Sequence, residues 1–237
     1  MGTLYIVATP IGNLSDLTFR ALETLHRVDL ILCEDTRVTS KLLQHYQIGT
    51  RVLSYHAHSK LRKIETIIEL LKKGENIALV CDAGTPGISD PGTKLIACLT
   101  KEFGSSLKII PIPGASALIS GASISGFPMS KFPFLGFPPA KKRRKRFFEE
   151  LAHSKYPVIF FEAPHRILKT LKELQNILGS EKREIVVCRE LTKKFETTYR
   201  GAVDEVFVQI GKEKVSGEFV IIIGPKFRAK APLKLQP

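Results

Sequence analysis

The sequence lacks the features of several common protein classes. None of its apolar runs approaches the roughly 18 residues that a membrane-spanning helix needs, and the longest are strand-like pieces such as 219–223. The first predicted strand begins at Leu4, which leaves no room for a signal peptide. We therefore expect a cytoplasmic protein that contacts no membrane.

Metal-binding and disulfide patterns are also missing. The four cysteines show no Cys-x-x-Cys spacing, and Cys33, Cys81 and Cys188 lie in apolar segments predicted to be strands. This is typical of reduced core residues. His56 and His58 alternate along a predicted strand, so their side chains point to opposite faces and cannot readily share a metal ion. We expect no metal site.

Three nucleotide-binding and hydrolase motifs are absent as well. The chain has no P-loop, no Gly-x-Gly-x-x-Gly turn and no Gly-x-Ser-x-Gly elbow. The first predicted strand and its loop, 4–13, contain only Gly12. A cofactor would therefore have to be held by several loops together.

The most informative segment present is 82–92, Asp-Ala-Gly-Thr-Pro-Gly-Ile-Ser-Asp-Pro-Gly, which follows an apolar strand. Gly84 and Gly87 permit positive φ and a close approach of the backbone to a ligand. Asp90 occupies an N-cap position, and Pro91 is expected to be the first helical residue. The pattern predicts a ligand-binding loop, the alternative being a tight crossover turn without a ligand.

The first half of the chain alternates short β-rich runs with amphipathic helices, which favours a mostly parallel sheet. Its predicted strands are 4–8, 29–33, 51–55, 77–81 and 107–112, and its predicted helices are 15–27, 38–46, 60–73 and 91–103. A further helix is expected to open in the small-residue stretch 113–120.

A stretch rich in Gly and Pro, 125–133, interrupts this rhythm and predicts a domain junction. The strands predicted beyond it are 133–137, 157–162, 184–190, 195–200 and 218–224, and the helices are 142–153, 164–178 and 202–210. We predict an α/β protein with a mostly parallel domain at 1–124, a mixed-sheet domain at 125–229 and a frayed tail at 230–237.

The chain is strongly basic, with 36 Lys and Arg against 23 Asp and Glu and a net charge of +13. Such a charge favours a polyanionic partner. Six consecutive basic residues, 141–146, carry part of this charge. The phenylalanines near this run, at 132, 134, 137, 147 and 148, could stack on bases, although some must belong to the core. The alternative interpretation of the basic run is a solvent-exposed helix face that binds no partner. The candidate RNA-binding residues are Lys141, Lys142, Arg143, Arg144, Lys145 and Arg146.

Polar clusters follow four predicted strands, where α/β proteins place their chemistry. These clusters are 34–37, 55–58, 162–166 and 189–194. Singly, each would be a helix cap or a salt bridge. Together they supply carboxylates, an imidazole and cations, which can orient a hydroxyl group and remove its proton.

In this order the motifs resemble the tetrapyrrole-methylase superfamily, and most closely its bacterial branch of 16S rRNA (cytidine-2′-O)-methyltransferases. The matching segments are 8–14, 33–37, 54–56, 80–92, 113–117, 134–138, 161–166, 189–193 and 217–218. The resemblance implies S-adenosylmethionine in a cleft between two α/β domains, usually within a homodimer. It also implies methyl transfer to a cytidine ribose 2′-hydroxyl of 16S rRNA, at the decoding centre of the small ribosomal subunit.

The resemblance also implies the cofactor-binding residues, whereas the candidate catalytic residues come from the polar clusters. The cofactor would contact Pro10, Thr85, Gly87, Ile88, Ala115, Ser116, Ala117, Phe161, Leu191 and Gly217. Asp35, His165 and Glu190 are candidate bases or orienting groups, while Arg37, Arg166 and Lys193 could hold phosphates or polarise the hydroxyl.

Two other functions fit part of the pattern. A methylase of a tetrapyrrole or another small molecule would keep the fold, but it has no need of a six-cation run. A non-enzymatic RNA-binding assembly factor would have no need of the intact loop 82–92.

Overall fold

The computed structural model describes residues 1–56, 61–178 and 183–226. The chain forms two compact units, Met1–Ser116 and Ala117–Pro237. The predicted junction, between 124 and 125, lies at the C-terminal end of the helix Ala117–Ile124, which packs against strands of the second unit. His58 and the predicted frayed tail lie outside the described residues.

The first unit alternates strands and helices as predicted. Its strands are β1 (Thr3–Val7), β2 (Leu30–Cys33), β3 (Val52–Ser54), β4 (Ile77–Leu79) and β5 (Lys108–Ile112). Its helices are α1 (Phe19–Arg27), α2 (Thr36–His45), α3 (Leu61–Lys72) and α4 (Gly92–Phe103), with 3-10 turns at Leu14–Asp16 and Gly104–Ser106. The largest difference from prediction is at α1, which begins at Phe19 because Thr18 caps it by accepting from the Ala21 N–H.

All strands of this unit are parallel, in the order β3-β2-β4-β1-β5. Alternate side chains of β2 enter different cores: Leu30 and Leu32 pack with α3 and α4, while Ile31 and Cys33 pack with α1 and α2. Burial on both faces explains why the strands read as continuous apolar runs. The predicted parallel sheet is confirmed.

The strand order positions the candidate site of this unit. Because β4, β1 and β5 are neighbours and parallel, the loops after them leave the same edge of the sheet. These loops are 80–91, 8–13 and 113–116.

The second unit contains α5 (Ala117–Ile124), α6 (Arg144–His153), β6 (Val158–Glu162), α7 (Ile167–Leu178), β7 (Glu184–Arg189), β8 (Thr197–Ala202), α8 (Val203–Gly211) and β9 (Phe219–Ile223). Its four strands follow the order β6-β9-β7-β8, and every pairing among them is antiparallel. The sheet was predicted to be mixed. Its parallel part is limited to 133–136, which pairs with β6 through the Phe134–Ile159 bridge and is too short to form a named strand.

The core of the second unit lies between this sheet and helices α6, α7 and α8. Phe147 and Phe148 belong to it, which removes both from the candidate stacking residues. Of the four free cysteines, Cys33, Cys81 and Cys188 are buried and Cys98 is exposed.

Burial raises the pKa of the Cys81 thiol to about 12, which makes it a poor nucleophile at neutral pH. Within the described ranges, no helix is long and apolar enough to cross a membrane.

Candidate functional site

In the first unit, the loops after β1 and β4 are joined by backbone hydrogen bonds. The Thr9 N–H donates to the Gly84 carbonyl at 2.9 Å, and the Gly84 N–H donates back to the Thr9 carbonyl at 3.0 Å. The Thr9 hydroxyl donates to the Cys81 carbonyl at 3.1 Å. Pro10, a predicted cofactor residue, follows directly and is buried. The first loop is therefore fixed against the loop rich in Gly and Pro.

The loop after β5 joins the same assembly. The Thr85 hydroxyl donates to the Ala115 carbonyl at 3.3 Å. A Cβ on Gly84 would lie 3.3 Å from Ile11 Cγ2 and 3.7 Å from the Ala115 oxygen, so three loops meet at this glycine. The structure thus brings the predicted residues Pro10, Thr85 and Ala115 together.

The Asp90 carboxylate shapes the loop rich in Gly and Pro. Its oxygens accept from the Gly87 N–H at 2.8 and 2.9 Å and from the Gly92 N–H at 2.8 Å. The Thr93 hydroxyl donates to the Gly87 carbonyl at 3.1 Å. Helix α4 begins at Gly92, one residue later than predicted, and Asp90 satisfies its first N–H.

Gly87 lines an open part of this loop. Its φ is +89°, and an added Cβ would meet only the Thr93 hydroxyl, at 3.9 Å. Ile88 beside it is exposed, and Ser116 is half-buried. Because the Gly87 N–H is already bonded to Asp90, we expect a ligand here to contact the Cα surface of Gly87 and not its N–H.

A carboxylate links this loop to the end of β2. The Asp35 N–H donates to Asp82 Oδ1 at 3.0 Å, and Asp35 Oδ1 accepts from the Arg37 N–H at 2.9 Å, which caps α2. The Arg37 guanidinium pairs with Asp35 Oδ2 at 2.6 Å. Hydrogen bonds from the Arg37 side chain and backbone lower the pKa of Asp35 to about 2. The predicted Asp35 and Arg37 are therefore already paired with each other.

Glu34 has the opposite electrostatics and is absent from the predicted catalytic residues. It is half-buried at the end of β2. Burial raises its pKa, and the negative charges of Asp82 and Asp90 raise it further. A carboxylate with a raised pKa accepts a proton more readily than Asp35 does. Its place in a strand-end cluster was visible in the sequence, but the nearby charges that distinguish it were not.

In the second unit, the Glu162 carboxylate is buried at the end of β6, with 1% of the residue exposed. Oε1 accepts from Arg166 Nη2 at 2.7 Å and from the Ala163 N–H at 2.8 Å, and Oε2 accepts from the Thr170 hydroxyl at 2.6 Å. Arg144 Nη2 lies 3.8 Å from Oε2. Both oxygens are hydrogen-bonded, as a buried charge requires.

Arg144 belongs to this network and not to an exposed cationic surface. It is 6% exposed, and its Nη2 donates to Glu173 Oε2 at 2.6 Å and to the Thr170 hydroxyl at 2.7 Å. Its Nη1 donates to the Pro139 carbonyl at 3.1 Å. The prediction that Arg144 contacts RNA is therefore wrong, since its guanidinium is buried and paired. The other five cations of the run are exposed.

Arg166 is also held from within the unit. Besides its pair with Glu162, its Nη1 donates to the Pro138 carbonyl at 3.0 Å, and its buried Nε has no hydrogen-bond partner among the described residues. His165, its neighbour, is exposed. Of this predicted pair, His165 is the one whose side chain is open to solvent.

Glu190 and Lys193, two further catalytic candidates, form an ion pair at 2.9 Å. Glu190 Oε1 also accepts from the Glu218 N–H at 3.0 Å, and Lys193 Nζ donates to Glu218 Oε2 at 3.0 Å. Burial alone would raise the pKa of Glu190, but hydrogen bonds from Lys193 and the Glu218 backbone outweigh it, and the pKa is lowered. Burial alone would lower the pKa of the Lys193 amine, but its two carboxylate partners outweigh burial, and the pKa is raised.

Gly217 explains how Glu190 is seated. Its φ is +88°, and an added Cβ would lie 2.3 Å from Glu190 Cγ and 2.4 Å from Cδ. Glu190 itself has a positive φ of 52°, which is strained for a residue with a side chain. The glycine predicted to contact the cofactor is therefore required by the packing of Glu190.

The remaining predicted cofactor residues of this unit lie in different surroundings. Phe161 is half-buried on β6, with its ring centroid 4.9 Å from that of Phe134 and 5.5 Å from that of Phe137. Leu191 is buried, and Ala117 begins α5. The predicted position of a cofactor against these residues stays a prediction.

The sequence profile of the tetrapyrrole (corrin/porphyrin) methylases matches residues 3–206. The chain belongs to this family of methylases. The predicted family, its α/β fold and the prediction of a methyl-transferring enzyme are thereby confirmed.

Curated relatives carry a narrower name. The protein named Ribosomal RNA small subunit methyltransferase I from Synechocystis sp. is 48% identical over 94% of this chain and 79% of its own length. The protein of the same name from Bacillus subtilis is 46% identical over 94% of this chain and 75% of its own. The one from Thermotoga maritima is 44% identical over 95% and 100%.

Solved structures share the fold at lower identity. Cobalt precorrin-4 methyltransferase, a cobalamin biosynthetic enzyme, has a TM-score of 0.68 at 21% identity, covering 94% of both chains. Uroporphyrin-III C-methyltransferase from Thermus thermophilus, in complex with S-adenosyl homocysteine, has a TM-score of 0.62 at 17% identity, covering 95% of this chain and 98% of that one.

The burial of Arg144 can be tested against its neighbour in the same run. Arg144→Met should lower the free energy of unfolding by about 3 kcal/mol, because Glu162 and Glu173 lose a buried partner. Lys145→Met should cost under about 0.5 kcal/mol, because that side chain is 92% exposed. Urea denaturation measures both, and equal losses would contradict the assignment of Arg144 to the interior.

The seating of Glu190 gives a second test. Gly217→Ala should cost about 1 kcal/mol for its positive φ and about 1–3 kcal/mol more because the new Cβ displaces Glu190. Gly126→Ala is the matched control, since φ is +76° there and nothing lies within 4 Å of the added Cβ. In a Glu190→Ala background the two substitutions should cost the same by urea denaturation. A persistent difference would show that the clash lies elsewhere.

Proposed function

We propose that this protein transfers a methyl group from S-adenosylmethionine to the ribose 2′-hydroxyl of a cytidine in 16S rRNA, at the decoding centre of the small ribosomal subunit. The observation that carries this proposal is the 48% identity, over 94% of the chain, to a protein named Ribosomal RNA small subunit methyltransferase I. The cytidine and its 2′-oxygen come from the motif resemblance. The five exposed cations after Ala140 suit an RNA substrate.

The chain offers surroundings that fit the cofactor. In the first unit these are the open side of Gly87, where a Cβ would meet nothing closer than 3.9 Å, and the small residues Ala115 and Ser116 beside Thr85. In the second unit the proposed contacts are Ala117, Phe161, Leu191 and the backbone of Gly217. S-adenosylmethionine supplies an electrophilic methyl group on a positively charged sulfur.

The protein must still assist the loss of a proton from a weakly acidic hydroxyl, a task worth about 10²–10⁴-fold in rate. Asp35 and Glu190 are poor proton acceptors, because hydrogen bonds lower the pKa of both. Glu34, with its raised pKa, and the exposed His165 suit that role better. Asp35 and Glu190 instead hold Arg37 and Lys193, cations that can contact phosphates.

We also infer that the protein acts in the cytoplasm, as a homodimer and without a metal ion. The support is the resemblance to the ribosomal branch of the family. Ribosomal subunits are the substrate in this proposal, and they are cytoplasmic particles.

Locating the transferred methyl group tests the function. Small subunits that lack the modification are incubated with the protein and tritiated S-adenosylmethionine, and the RNA is then digested and analysed by mass spectrometry. We expect the label on a cytidine ribose, where it blocks alkaline cleavage of the next phosphodiester bond. A label on a base would refute the 2′-oxygen assignment.

Two other results of this experiment would point to the alternative functions. Cofactor binding without methylation of any subunit RNA would favour a small-molecule methylase. Failure to bind S-adenosylmethionine in calorimetry would favour a non-enzymatic assembly factor.

The contribution of the loop rich in Gly and Pro is tested at Gly87. Gly87→Val should weaken S-adenosylmethionine binding at least tenfold in calorimetry, because the side chain fills the open space beside the loop. Gly74→Val is the control: its φ of +91° matches the +89° of Gly87, so the backbone strain is the same, but it lies at the end of α3. Equal affinities in the two variants would exclude Gly87 from the cofactor site.

A further inference from the structure

One aromatic side chain near the basic run is presented to solvent. Phe137 is 51% exposed, whereas Phe134 and Phe161 are half-buried and Phe147 and Phe148 belong to the core. The Phe137 ring lies 5.5 Å from the Phe161 ring, centroid to centroid, at an interplanar angle of 60°. Its position is thus supported by an aromatic neighbour while about half of the residue stays open.

The backbone on both sides of Phe137 is held. The Gly136 carbonyl accepts from the Phe161 N–H at 2.8 Å, and the Pro138 carbonyl accepts from Arg166 at 3.0 Å. The Pro139 carbonyl accepts from Arg144 at 3.1 Å.

Both arginines are in turn oriented by the buried Glu162, directly or through Thr170. A residue fixed in this way loses little conformational entropy when it binds a partner.

Five exposed cations follow at once: Lys141, Lys142, Arg143, Lys145 and Arg146. Lys141 is four residues from Phe137, so the Cα atoms of these two residues lie within about 14 Å of each other. Lys145 is 3.8 Å from Glu149, an exposed pair that costs little to separate.

An exposed ring beside a row of cations is the chemistry that binds single-stranded nucleic acid, because bases stack on the ring and phosphates pair with the cations. We propose that Phe137 stacks on an unpaired base of the RNA substrate while these five cations contact the adjoining phosphates. This inference rests on the proposed function for the identity of the RNA, but not for the surface itself.

Binding of a cytidine 12-mer, and of an abasic oligomer of the same length, separates stacking from charge. Phe137→Ala should weaken binding of the 12-mer about 5- to 150-fold without changing the salt dependence, and Phe137→Tyr should stay within about threefold of the parent. On the abasic oligomer Phe137→Ala should have no effect. Phe19→Ala, at an 88% exposed position in the other unit, is the control.

The cations should show the complementary pattern. The test variant keeps the buried Arg144 and combines Lys141→Gln, Lys142→Gln, Arg143→Asn, Lys145→Gln and Arg146→Gln. Asn is used at 143 because it tolerates the αL backbone of Arg143. If about three of these cations contact phosphates in the parent, the log–log salt slope of 12-mer binding should be less steep by roughly 2 in the variant. An unchanged slope, or unchanged affinity of Phe137→Ala for the 12-mer, would overturn the proposal.

The chain has no tryptophan, so Phe137→Trp introduces a single fluorescent reporter at the surface. The 12-mer should quench it saturably, while the same additions to Phe19→Trp should not. Quenching by S-adenosylmethionine alone would assign the ring to the cofactor, and quenching on raising the protein concentration alone would assign it to a second copy. Either result would overturn the RNA assignment.

Methylation of small subunits distinguishes this inference from the proposed function. If the inference is right, Phe137→Ala raises KM for subunits while kcat changes less. A methylated cytidine ribose with an unchanged KM would leave the function intact and refute the stacking role. No RNA methylation by the parent, with 12-mer binding still dependent on Phe137, would refute the function and support the surface.

Discussion

The proposed RNA-binding surface of the second unit depends on the hydrogen bonds and ion pair of one buried carboxylate, that of Glu162. It orients Arg166 directly and Arg144 through Thr170, and each arginine holds a carbonyl of the Pro138–Pro139 segment. Prolines have no N–H to donate, so Pro138 and Pro139 can form main-chain hydrogen bonds only through their carbonyls, and both carbonyls accept from these arginines. A buried charge demands several hydrogen bonds, and here those bonds fix the chain between the exposed ring and the basic run.

The candidate cofactor site of the first unit is built from several loops, because no single loop in that unit is a complete cofactor motif. The neighbouring positions of β4, β1 and β5 bring three incomplete loops to one edge. Hydrogen bonds between Thr9 and Gly84, and between Thr85 and Ala115, then lock those loops together. Asp90 does the same within the longest loop, where it binds the backbone on either side of the turn. The site surface is thus made by packing of loops on a rigid parallel sheet.

Electrostatics divides the carboxylates into separate tasks. Asp35 and Glu190 are each bound to a cation, and their lowered pKa values make both of them weak proton acceptors. Glu34 is half-buried near Asp82 and Asp90, and its raised pKa makes it the more basic group. The carboxylates of Asp35 and Glu190 therefore hold cations, whereas the carboxylate of Glu34 is a candidate proton acceptor.

The sequence by itself determined the family, the order of the elements and the parallel first sheet, because apolar periodicity, capping residues and the segment 82–92 are local signals. Only the tertiary structure decided which members of a cluster face solvent. Arg144 and Lys145 are neighbours in one basic run, yet one is buried against Glu162 and the other is exposed. Gly217 likewise follows from the side chain of a distant residue, Glu190. Burial and long-range ion pairs depend on contacts between remote segments, and one-dimensional patterns do not contain them.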